Sequence, residues 1–262
     1  MDDDERTATA LVAATRDRVP IAPLTDSSPD MTADRAYRIQ QLVVEARLPT
    51  EGPVVGYKVG LTSKPMQELL GIDTPDYGPI LSSMYRPGDT TLLLGDYIGP
   101  RVEAEIAFQL RTPLRGPGVT AEDVLAATAG VMAAIEVIDS RITDWRIRLA
   151  DTIADMASSA VIVTSGRPAP VEGLALDEIR VAMHDDDEEV AGGVGGAVLG
   201  HPANAAAWLV NTLGEHGVGL EAGHVVMPGA MHAAVTAQAG HRYRAVFDHL
   251  GSVEVAFEEG SS

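Results

Sequence analysis

Two glutamates, Glu103 and Glu105, lie one residue apart in the segment 102–108, where apolar and acidic residues alternate. This alternation predicts a β-strand with two unlike faces. Residues two apart on one face are separated by about 6.5–7 Å. A third acid, Glu136, interrupts the apolar run 131–138, and an ionised carboxylate in such a run is costly unless it is neutralised. Together the three acids predict a site for one hard divalent cation bound through oxygen.

Two other residues could transfer protons. Lys58 lies in a short predicted strand between glycines. It is either a surface lysine with a packed apolar stem or a partly buried amine, and burial would lower its pKa and suit it to proton transfer. Asp76 lies in the segment 75–79, which has the composition of a turn. Because aspartate occupies turns for purely structural reasons, the local pattern leaves the role of each residue open.

The serines, the histidines and the absence of cysteine argue against several classes of enzyme. Ser158 and Ser159 precede a predicted strand over 160–164, where they could bind a carboxylate or serve as ordinary polar residues at the start of a strand. The chain has no GxSxG motif, so a serine nucleophile is not indicated. It has no cysteine, which excludes disulfides, thiolate zinc sites and cysteine nucleophiles. None of its seven histidines forms an i, i+4 metal-binding pair.

Two conspicuous segments are interpreted as structural. The acidic run 185–189 lacks the spaced ligands and central glycine of a calcium loop, so we expect a solvated hairpin tip. The glycine-rich run 192–196 fails the dinucleotide pattern, because Val198 stands where a third glycine is needed, and no Lys-Ser/Thr pair follows for a P-loop. We expect a bulge or a tight turn there.

Composition sets wider limits. The 262 residues, 45% of them hydrophobic, suffice for a sizeable core. Lys+Arg number 19 and Asp+Glu 38, a net charge of −19. That charge argues against nucleic acid or anionic membrane as a partner. No apolar run approaches the roughly 18 residues of a membrane helix, and the acidic first residues are unlike a signal peptide. A cytoplasmic protein is expected.

The periodicity predicts an α+β chain. A helical segment over residues 1–50 precedes a strand-rich part over 51–262. Predicted helices lie at 6–16, 32–45, 120–130 and 203–213. Predicted strands lie at 54–60, 102–110, 131–138, 160–164, 179–184, 224–227 and 252–257.

Four segments in combination resemble the 2-keto-4-pentenoate hydratase / 4-oxalocrotonate decarboxylase family of the fumarylacetoacetate hydrolase superfamily. The segments are 60–67, 75–78, 102–108 and 136–145. The resemblance extends over nearly the whole chain. It implies a mixed β-roll core with an N-terminal helical segment, and Mg²⁺ or Mn²⁺ bound by Glu103, Glu105 and Glu136. It also implies a homo-oligomer.

The resemblance implies roles for other residues as well. Lys58 and Asp76 match the family's proposed proton-transfer residues. Leu61 and Ser159 match positions that line the site for a 2-oxo acid, and Ser158 is expected beside them at the substrate's carboxylate.

The reaction implied is addition of water to a 2-hydroxy-2,4-dienoate, giving a 4-hydroxy-2-oxo acid. The carboxylate and the neighbouring oxygen of such an acid can chelate Mg²⁺, which acts as a Lewis acid. Two alternatives stay open. One is decarboxylation of a 4-oxalocrotonate-like dicarboxylate, whose extra carboxylate would need a cation such as Arg141, Arg146 or Arg148. The other is a relative repurposed for a specialised pathway, or a non-catalytic partner subunit.

This chain departs from the family pattern at two positions. Met156 stands where an asparagine is expected, and Pro228 where a serine is expected. A thioether has neither the donors nor the carbonyl acceptor of an amide, and proline has no N–H to donate. We therefore expect Met156 to form an apolar wall of the pocket and to favour a substrate with a longer apolar tail.

Overall fold

The structure of the protein, a computed structural model, describes residues 1–63, 67, 72 and 74–260. Residues 64–66 of the motif at 60–67 lie outside the described residues. The helices are α1 (Asp3–Asp17), α2 (Leu24–Ser27), α3 (Ala33–Glu51), α4 (Ala121–Ala127), α5 (Leu149–Ala154) and α6 (Pro202–Glu215). The strands are β1 (Val54–Gly60), β2 (Asp76–Leu81), β3 (Tyr85–Pro87), β4 (Thr90–Leu93), β5 (Arg101–Leu110), β6 (Thr128–Ile138), β7 (Ser159–Thr164), β8 (Arg180–Asp185), β9 (Glu188–Val194), β10 (Val225–Met227), β11 (Val235–Thr236), β12 (Arg242–Phe247) and β13 (Gly251–Glu258).

The N-terminal helices begin at side chains that accept hydrogen bonds from free backbone amides. Asp2 accepts from the amide of Glu5 at 2.9 Å, and Thr32 accepts from the amide of Arg35 at 3.3 Å. Each such cap contributes about 1 kcal/mol. Helices α1 and α3 pack on each other, and α3 also packs on α5 and β2. The apolar cluster between these elements includes Leu11, Ile39, Val43, Ile80 and Ile153.

The strands form two sheets. Within the described residues, the larger sheet has the order β2-β1-β10-β5-β6-β7-β3, with β11 also pairing with β5, and the smaller has the order β4-β13-β12-β8-β9. Strands β12 and β13 pack on β6. The main core between the sheets includes Phe108, Val131, Ile135, Tyr243 and Phe257. The predicted α+β class is confirmed. No helix in the described part of the chain is both long and apolar enough to cross a membrane.

Strands β5 and β6 form the centre of the larger sheet. They pair antiparallel, with Glu103 opposite Glu136. Strand β1 pairs with β2 on one side and with β10 on the other, so that Lys58 lies between Gly78 and Met227. Since β10 also pairs with β5, this order brings Lys58 to the same region of the sheet as the glutamates.

The second part of the chain departs from the predicted boundaries at one helix. Helix α4 ends at Ala127 and β6 begins at once, whereas a helix to residue 130 was expected. Thr128, a β-branched residue, donates its hydroxyl to the carbonyl of Val124 at 2.7 Å as the strand begins. The run of apolar residues that follows is thus entirely strand.

Gly192 and Gly193 lie in strand β9, so the predicted bulge or tight turn is wrong for these two residues. Gly195 and Gly196 lie in a tight 3-10 turn that follows the strand, as predicted. A Cβ on Gly193 would lie 1.9 Å from the carbonyl oxygen of Met231. The glycine therefore permits close packing of β9 against the loop that follows β10. The acidic run forms the turn between β8 and β9, as predicted.

Candidate active site

Three glutamates converge at the centre of the larger sheet. Glu103 lies opposite Glu136, and Glu105 lies two residues farther along the same face of β5. One carboxylate oxygen of each glutamate lies within 4.8 Å of the other two. Glu105 and Glu136 are fully buried, and Glu103 is half-buried. The fold thus places three like charges in one small volume.

The electrostatics of this cluster favour a bound cation. Burial raises the pKa of Glu103 to about 7, with a further contribution from Glu136. Burial and Glu136 also raise the pKa of Glu105 well above its usual value. Oε1 of Glu105 and Oε1 of Glu136 have no hydrogen-bond partner among the described residues. Each such buried acceptor costs about 1–3 kcal/mol. A hard divalent cation fits, because it would neutralise the charges and bind these oxygens.

Lys58 is the cation nearest to the glutamates. Its Nζ lies 3.2 Å from Oε2 of Glu136 and donates to the carbonyl of Ala157 at 3.1 Å. Burial acts to lower the pKa of Lys58, but the nearby carboxylates, Glu136 and Asp76 foremost, outweigh burial and raise it. The lowered pKa expected from burial alone is therefore wrong for the protein without a bound cation.

Asp76 faces the same region from β2. Its Oδ2 accepts the hydroxyl of Thr152 at 3.1 Å, whereas its Oδ1 has no partner among the described residues. Burial raises the pKa of Asp76, opposed by Lys58 and by the hydrogen bond from Thr152. A Cβ on Gly60 would lie 2.2 Å from Oδ1 of Asp76 and 3.3 Å from Nζ of Lys58. The carboxylate and the ammonium therefore both lie over a glycine that leaves them room.

Gly60→Ala is expected to disturb this arrangement. The added methyl would overlap Oδ1 of Asp76, and forced overpacking typically costs about 1–3 kcal/mol. We expect a loss of that size in the free energy of unfolding, measured by urea denaturation, and lower turnover. Gly95→Ala is the control: a Cβ there meets only one atom, at 4.0 Å, so its effect should stay within about 0.5 kcal/mol. Native stability and turnover in Gly60→Ala would contradict the close approach of the Asp76 carboxylate to Gly60.

A cavity of about 580 Å³ opens over these residues. Lys58, Asp76 and Glu103 contribute to its polar part, and Ile138, Ile147, Ala230, Met231, Ala233 and Ala234 are among the apolar residues that line it. A pocket of this volume, largely apolar with a few convergent polar groups, is typical of a small-molecule site.

The residues predicted to bind substrate fall in or behind the cavity wall. Leu61 and Ser158 line the cavity. Ser159 is fully buried behind the wall. Burial raises the pKa of Glu136, and Lys58 and Ser159 oppose that rise. Residues Met156–Ser158 form a short turn with φ between 52° and 55°. Left-handed backbone at non-glycine residues costs about 1–3 kcal/mol each and clusters at functional sites.

The structure does not place Met156 in the pocket. Its side chain is fully buried in the cluster between the helices and the sheet, and Nη1 of Arg47 lies 2.9 Å from its sulfur. Met156 is absent from the residues that line the cavity. The expected role of Met156 as an apolar pocket wall is therefore wrong, because the left-handed turn leaves its side chain buried in the cluster and outside the cavity lining. Pro228 is likewise buried and does not line the cavity.

The three arginines considered for a second substrate carboxylate are placed elsewhere. Arg141 is buried and ion-paired with Asp155 at 2.5 Å. Arg146 is exposed and paired with Asp26 at 2.7 Å, and Arg148 is exposed. None of the three lines the cavity.

Sequence reasoning missed several residues of the cavity. Arg101 and Trp145 line it, as do Thr152 and His232. Nε2 of His232 accepts the amide of Ala104, the residue between Glu103 and Glu105, at 3.1 Å. For Arg101 a signal was available, because it lies two residues before Glu103 and so shares its face of β5.

Comparison with known proteins agrees with this geometry. The profile of the fumarylacetoacetate (FAA) hydrolase C-terminal domain matches residues 72–258. A 2-hydroxyhexa-2,4-dienoate hydratase of Comamonas testosteroni is 42% identical over 251 residues, 95% of each chain. A 2-keto-4-pentenoate hydratase of Burkholderia vietnamiensis is 44% identical over 239 residues, 91% of each chain.

A solved structure extends the comparison to the fold. The 4-oxalocrotonate decarboxylase of Pseudomonas putida G7, complexed with magnesium and adipate, superposes with a TM-score of 0.93 at 34% identity, covering 97% of each chain. The chain therefore belongs to the fumarylacetoacetate hydrolase family, in the branch that contains the 2-keto-4-pentenoate hydratases and the 4-oxalocrotonate decarboxylases. The family resemblance seen in the sequence is confirmed.

Proposed function

We propose that this protein is a divalent-metal-dependent lyase that adds water to a 2-hydroxy-2,4-dienoate and gives a 4-hydroxy-2-oxo acid. The observation that carries the proposal is the convergence of Glu103, Glu105 and Glu136, together with a cavity lined by Glu103, Lys58 and Asp76. Relatives named as hydratases of such dienoates, at 42% and 44% identity, support the same reaction.

The three glutamates are the residues that would hold Mg²⁺ or Mn²⁺. When bound, the cation would supply a Lewis acid that stabilises negative charge on the oxygens at the carboxylate end of the substrate. The chain would provide three acidic ligands from two adjacent strands, and two of these glutamates carry buried oxygens that have no hydrogen-bond partner among the described residues. Structural relatives crystallised with magnesium, calcium or manganese are consistent with this assignment.

Lys58 and Asp76 are the groups placed for proton transfer. Hydration requires removal of the proton from the 2-hydroxyl and protonation of the substrate at C5. Water then adds with its hydroxyl at C4 and its proton at C3, so the number of protons is balanced. The Lys58 ammonium can donate, and Asp76 has a raised pKa and one oxygen without a hydrogen-bond partner in the described part of the chain. A carboxyl with a pKa nearer neutrality is better suited to give and take a proton. Thr152 fixes the other oxygen of Asp76.

The cavity around these groups orients the substrate. Leu61 and Ser158 line the cavity, where we propose that they contact the 2-oxo acid group, and Ser159 is buried next to Ser158 in the chain. The apolar walls would exclude bulk water from the carbon chain while leaving room for the one water that reacts.

Decarboxylation of a 2-oxo dicarboxylate is the second candidate reaction. The observation in its favour is the close superposition on a 4-oxalocrotonate decarboxylase. The higher identity to relatives named as hydratases favours hydration. A non-catalytic role is disfavoured, because the glutamates, Lys58 and Asp76 are all present and converge.

Purified protein is expected to consume 2-hydroxypenta-2,4-dienoate in the presence of Mg²⁺, measured as loss of the dienol's ultraviolet absorbance. One 4-hydroxy-2-oxo acid should form per substrate consumed. Chelation of metal should abolish the loss, and added Mg²⁺ or Mn²⁺ should restore it. Release of carbon dioxide from 2-hydroxymuconate, measured in parallel and without hydration of any dienoate, would favour the decarboxylase instead.

We also propose that the protein acts in the cytoplasm as a homo-oligomer. The acidic chain and the soluble small-molecule substrate are consistent with that location. Light scattering of the purified protein tests the oligomeric state, and a monomer would contradict it.

A further inference from the structure

A buried ion pair, Arg141 with Asp155, lies beside the active site but lines no part of its cavity. The two residues are 3% and 1% exposed, and Nε of Arg141 lies 2.5 Å from Oδ1 of Asp155. A buried ion pair adds little net stability, because burial of two charges costs most of what their attraction gains. The hydrogen bonds that this pair makes to the backbone are therefore more informative than its charge.

The Arg141 guanidinium holds both ends of the left-handed turn Met156–Ser158. Nη2 donates to the carbonyl of Asp155, immediately before the turn, and Nη1 donates to the carbonyl of Ser159, immediately after it, at 3.2 Å. Nη1 also donates to the carbonyl of Asp139 at 2.5 Å. The Asp155 carboxylate accepts the backbone amide of Arg141 at 2.9 Å. The planar fork of an arginine can make these bonds at the same time, which a lysine ammonium cannot.

The turn needs this support because its backbone is strained. Its three residues have φ between 52° and 55°, a conformation that non-glycine residues keep only where the surroundings enforce it. On its other side the turn packs on β2, where a Cβ on Gly78 would lie 2.3 Å from the carbonyl oxygen of Met156. Gly78 is the residue of β2 that pairs with Lys58 on β1. The turn is thus held between Arg141 and the strand next to Lys58.

The turn also provides the only uncharged hydrogen-bond acceptor of the Lys58 ammonium among the described residues. Nζ donates to the carbonyl of Ala157, the middle residue of the turn, at 3.1 Å, and it lies 3.2 Å from Oε2 of Glu136. Lysine has a flexible four-carbon stem, so the acceptors around the ammonium determine where it lies. A shift of the Ala157 carbonyl would therefore move the ammonium relative to the cavity.

We propose that Arg141, paired with Asp155, is a positioning residue for Lys58. Arg141 fixes the left-handed turn, and the turn holds the Ala157 carbonyl where it orients the Lys58 ammonium at the cavity. These contacts do not depend on the reaction. Their consequence for catalysis rests on the proposed function, in which Lys58 transfers a proton.

The Lys58 ammonium can be observed directly, because the sequence contains only two lysines, Lys58 and Lys64. Full-length protein with Mg²⁺ is labelled with ¹⁵N at the lysine side chains, and Lys58→Met identifies the signal of Lys58. A buried, hydrogen-bonded ammonium exchanges its hydrogens slowly with water. Arg141→Gln/Asp155→Asn removes both charges and leaves neither buried without its partner. We expect it to speed the exchange by about 10-fold or more, the scale for loss of a hydrogen bond to a charged group.

Turnover shows whether the effect passes through Lys58. Arg141→Gln/Asp155→Asn should lower kcat by about 10-fold or more, while KM changes little. In the Lys58→Met background it should cause no further loss, because no ammonium is left to orient. Arg35→Gln/Asp4→Asn is the matched control. It removes an ion pair of 2.7 Å that does not line the cavity, and it should change neither the exchange nor kcat.

Near-ultraviolet circular dichroism shows whether Arg141→Gln/Asp155→Asn is folded. If it is not, Arg141→Lys is used for the same measurements, since lysine keeps the charge opposite Asp155 but cannot hold three carbonyls. The lysine that this variant adds is distinguished from Lys58 by combining the variant with Lys58→Met.

Unchanged exchange of Lys58 in the folded variant would overturn the inference. So would an equal fractional loss of kcat in the native and Lys58→Met backgrounds, because Arg141 would then only stabilise the fold. Failure of the native protein to hydrate 2-hydroxypenta-2,4-dienoate would contradict the proposed function instead. The exchange of Lys58 would still decide whether Arg141 positions it.

Discussion

Glu105→Gln is expected to lower the affinity of the protein for Mg²⁺ by about 100-fold or more and to abolish metal-dependent turnover. Glu105 is fully buried, and its Oε1 has no hydrogen-bond partner within the described ranges of the chain. Loss of a residue that only hydrogen-bonds to a metal ligand weakens metal binding by about 10–100-fold. Loss of an anionic ligand itself should therefore lower the affinity by at least about 100-fold. Calorimetric titration with Mg²⁺ measures the change.

The same substitution should raise the thermal midpoint of the metal-free protein. Glu103, Glu105, Glu136 and Asp76 surround one Lys58 ammonium, so removing one buried carboxylate relieves repulsion and desolvation. The glutamine oxygen can still accept the amide of Gly229, which binds Oε2 of Glu105 at 2.8 Å. A relief of about 1 kcal/mol corresponds to about 2–4 °C in a protein of this size.

Glu178→Gln is the matched control, because Glu178 is exposed on the surface. It should change neither metal affinity nor thermal midpoint measurably. Native Mg²⁺ affinity in Glu105→Gln would remove this glutamate from the metal site. A lower thermal midpoint of the metal-free variant would show that repulsion among the carboxylates does not destabilise the native protein.

The cluster of glutamates was predictable because its signal is local. Alternation along 102–108 places Glu103 and Glu105 on one face without knowledge of the rest of the fold, and the apolar run containing Glu136 marks a buried charge. The antiparallel register that brings Glu136 opposite Glu103 is a tertiary fact. Beforehand, two arguments favoured it: the cost of a buried carboxylate that no cation neutralises, and the resemblance to a family that binds a metal through these three positions.

At Asp76 the local sequence pattern predicted the wrong secondary structure. Two prolines and a glycine around it indicate a turn, yet Asp76 begins strand β2. Strand β2 lies at the edge of the larger sheet, and edge strands tolerate proline because one side of the strand needs no donor. A sequence pattern does not show which strand will be at an edge.

The pKa of Lys58 depends on residues distant in the chain, and the direction of the Met156 side chain depends on an unusual backbone conformation. Burial alone predicted a lowered pKa for Lys58, but carboxylates from three other strands reverse the sign. The direction of the Met156 side chain follows from left-handed backbone at three successive residues, a conformation that non-glycine residues rarely adopt. Composition gave no indication of that turn.

Lys58→Met is expected to lower turnover by about 100-fold or more, the usual scale for loss of a general acid or base. Methionine keeps much of the apolar stem but has no proton to give. Near-native turnover, measured with saturating Mg²⁺, would restrict Lys58 to pairing with Glu136.

The affinity of this variant for Mg²⁺ separates the two roles that Lys58 could have. Nζ lies 3.2 Å from Oε2 of Glu136, so the ammonium competes with a divalent cation for the same carboxylate. If Lys58 serves proton transfer, Lys58→Met should bind Mg²⁺ as tightly as the native protein or more tightly, while turnover falls. If instead Lys58 mainly aligns Glu136 as a ligand, affinity and turnover should fall together. Because one group cannot be both a competitor for the carboxylate and a requirement for metal binding, the sign of the change in Mg²⁺ affinity decides between proton transfer and alignment.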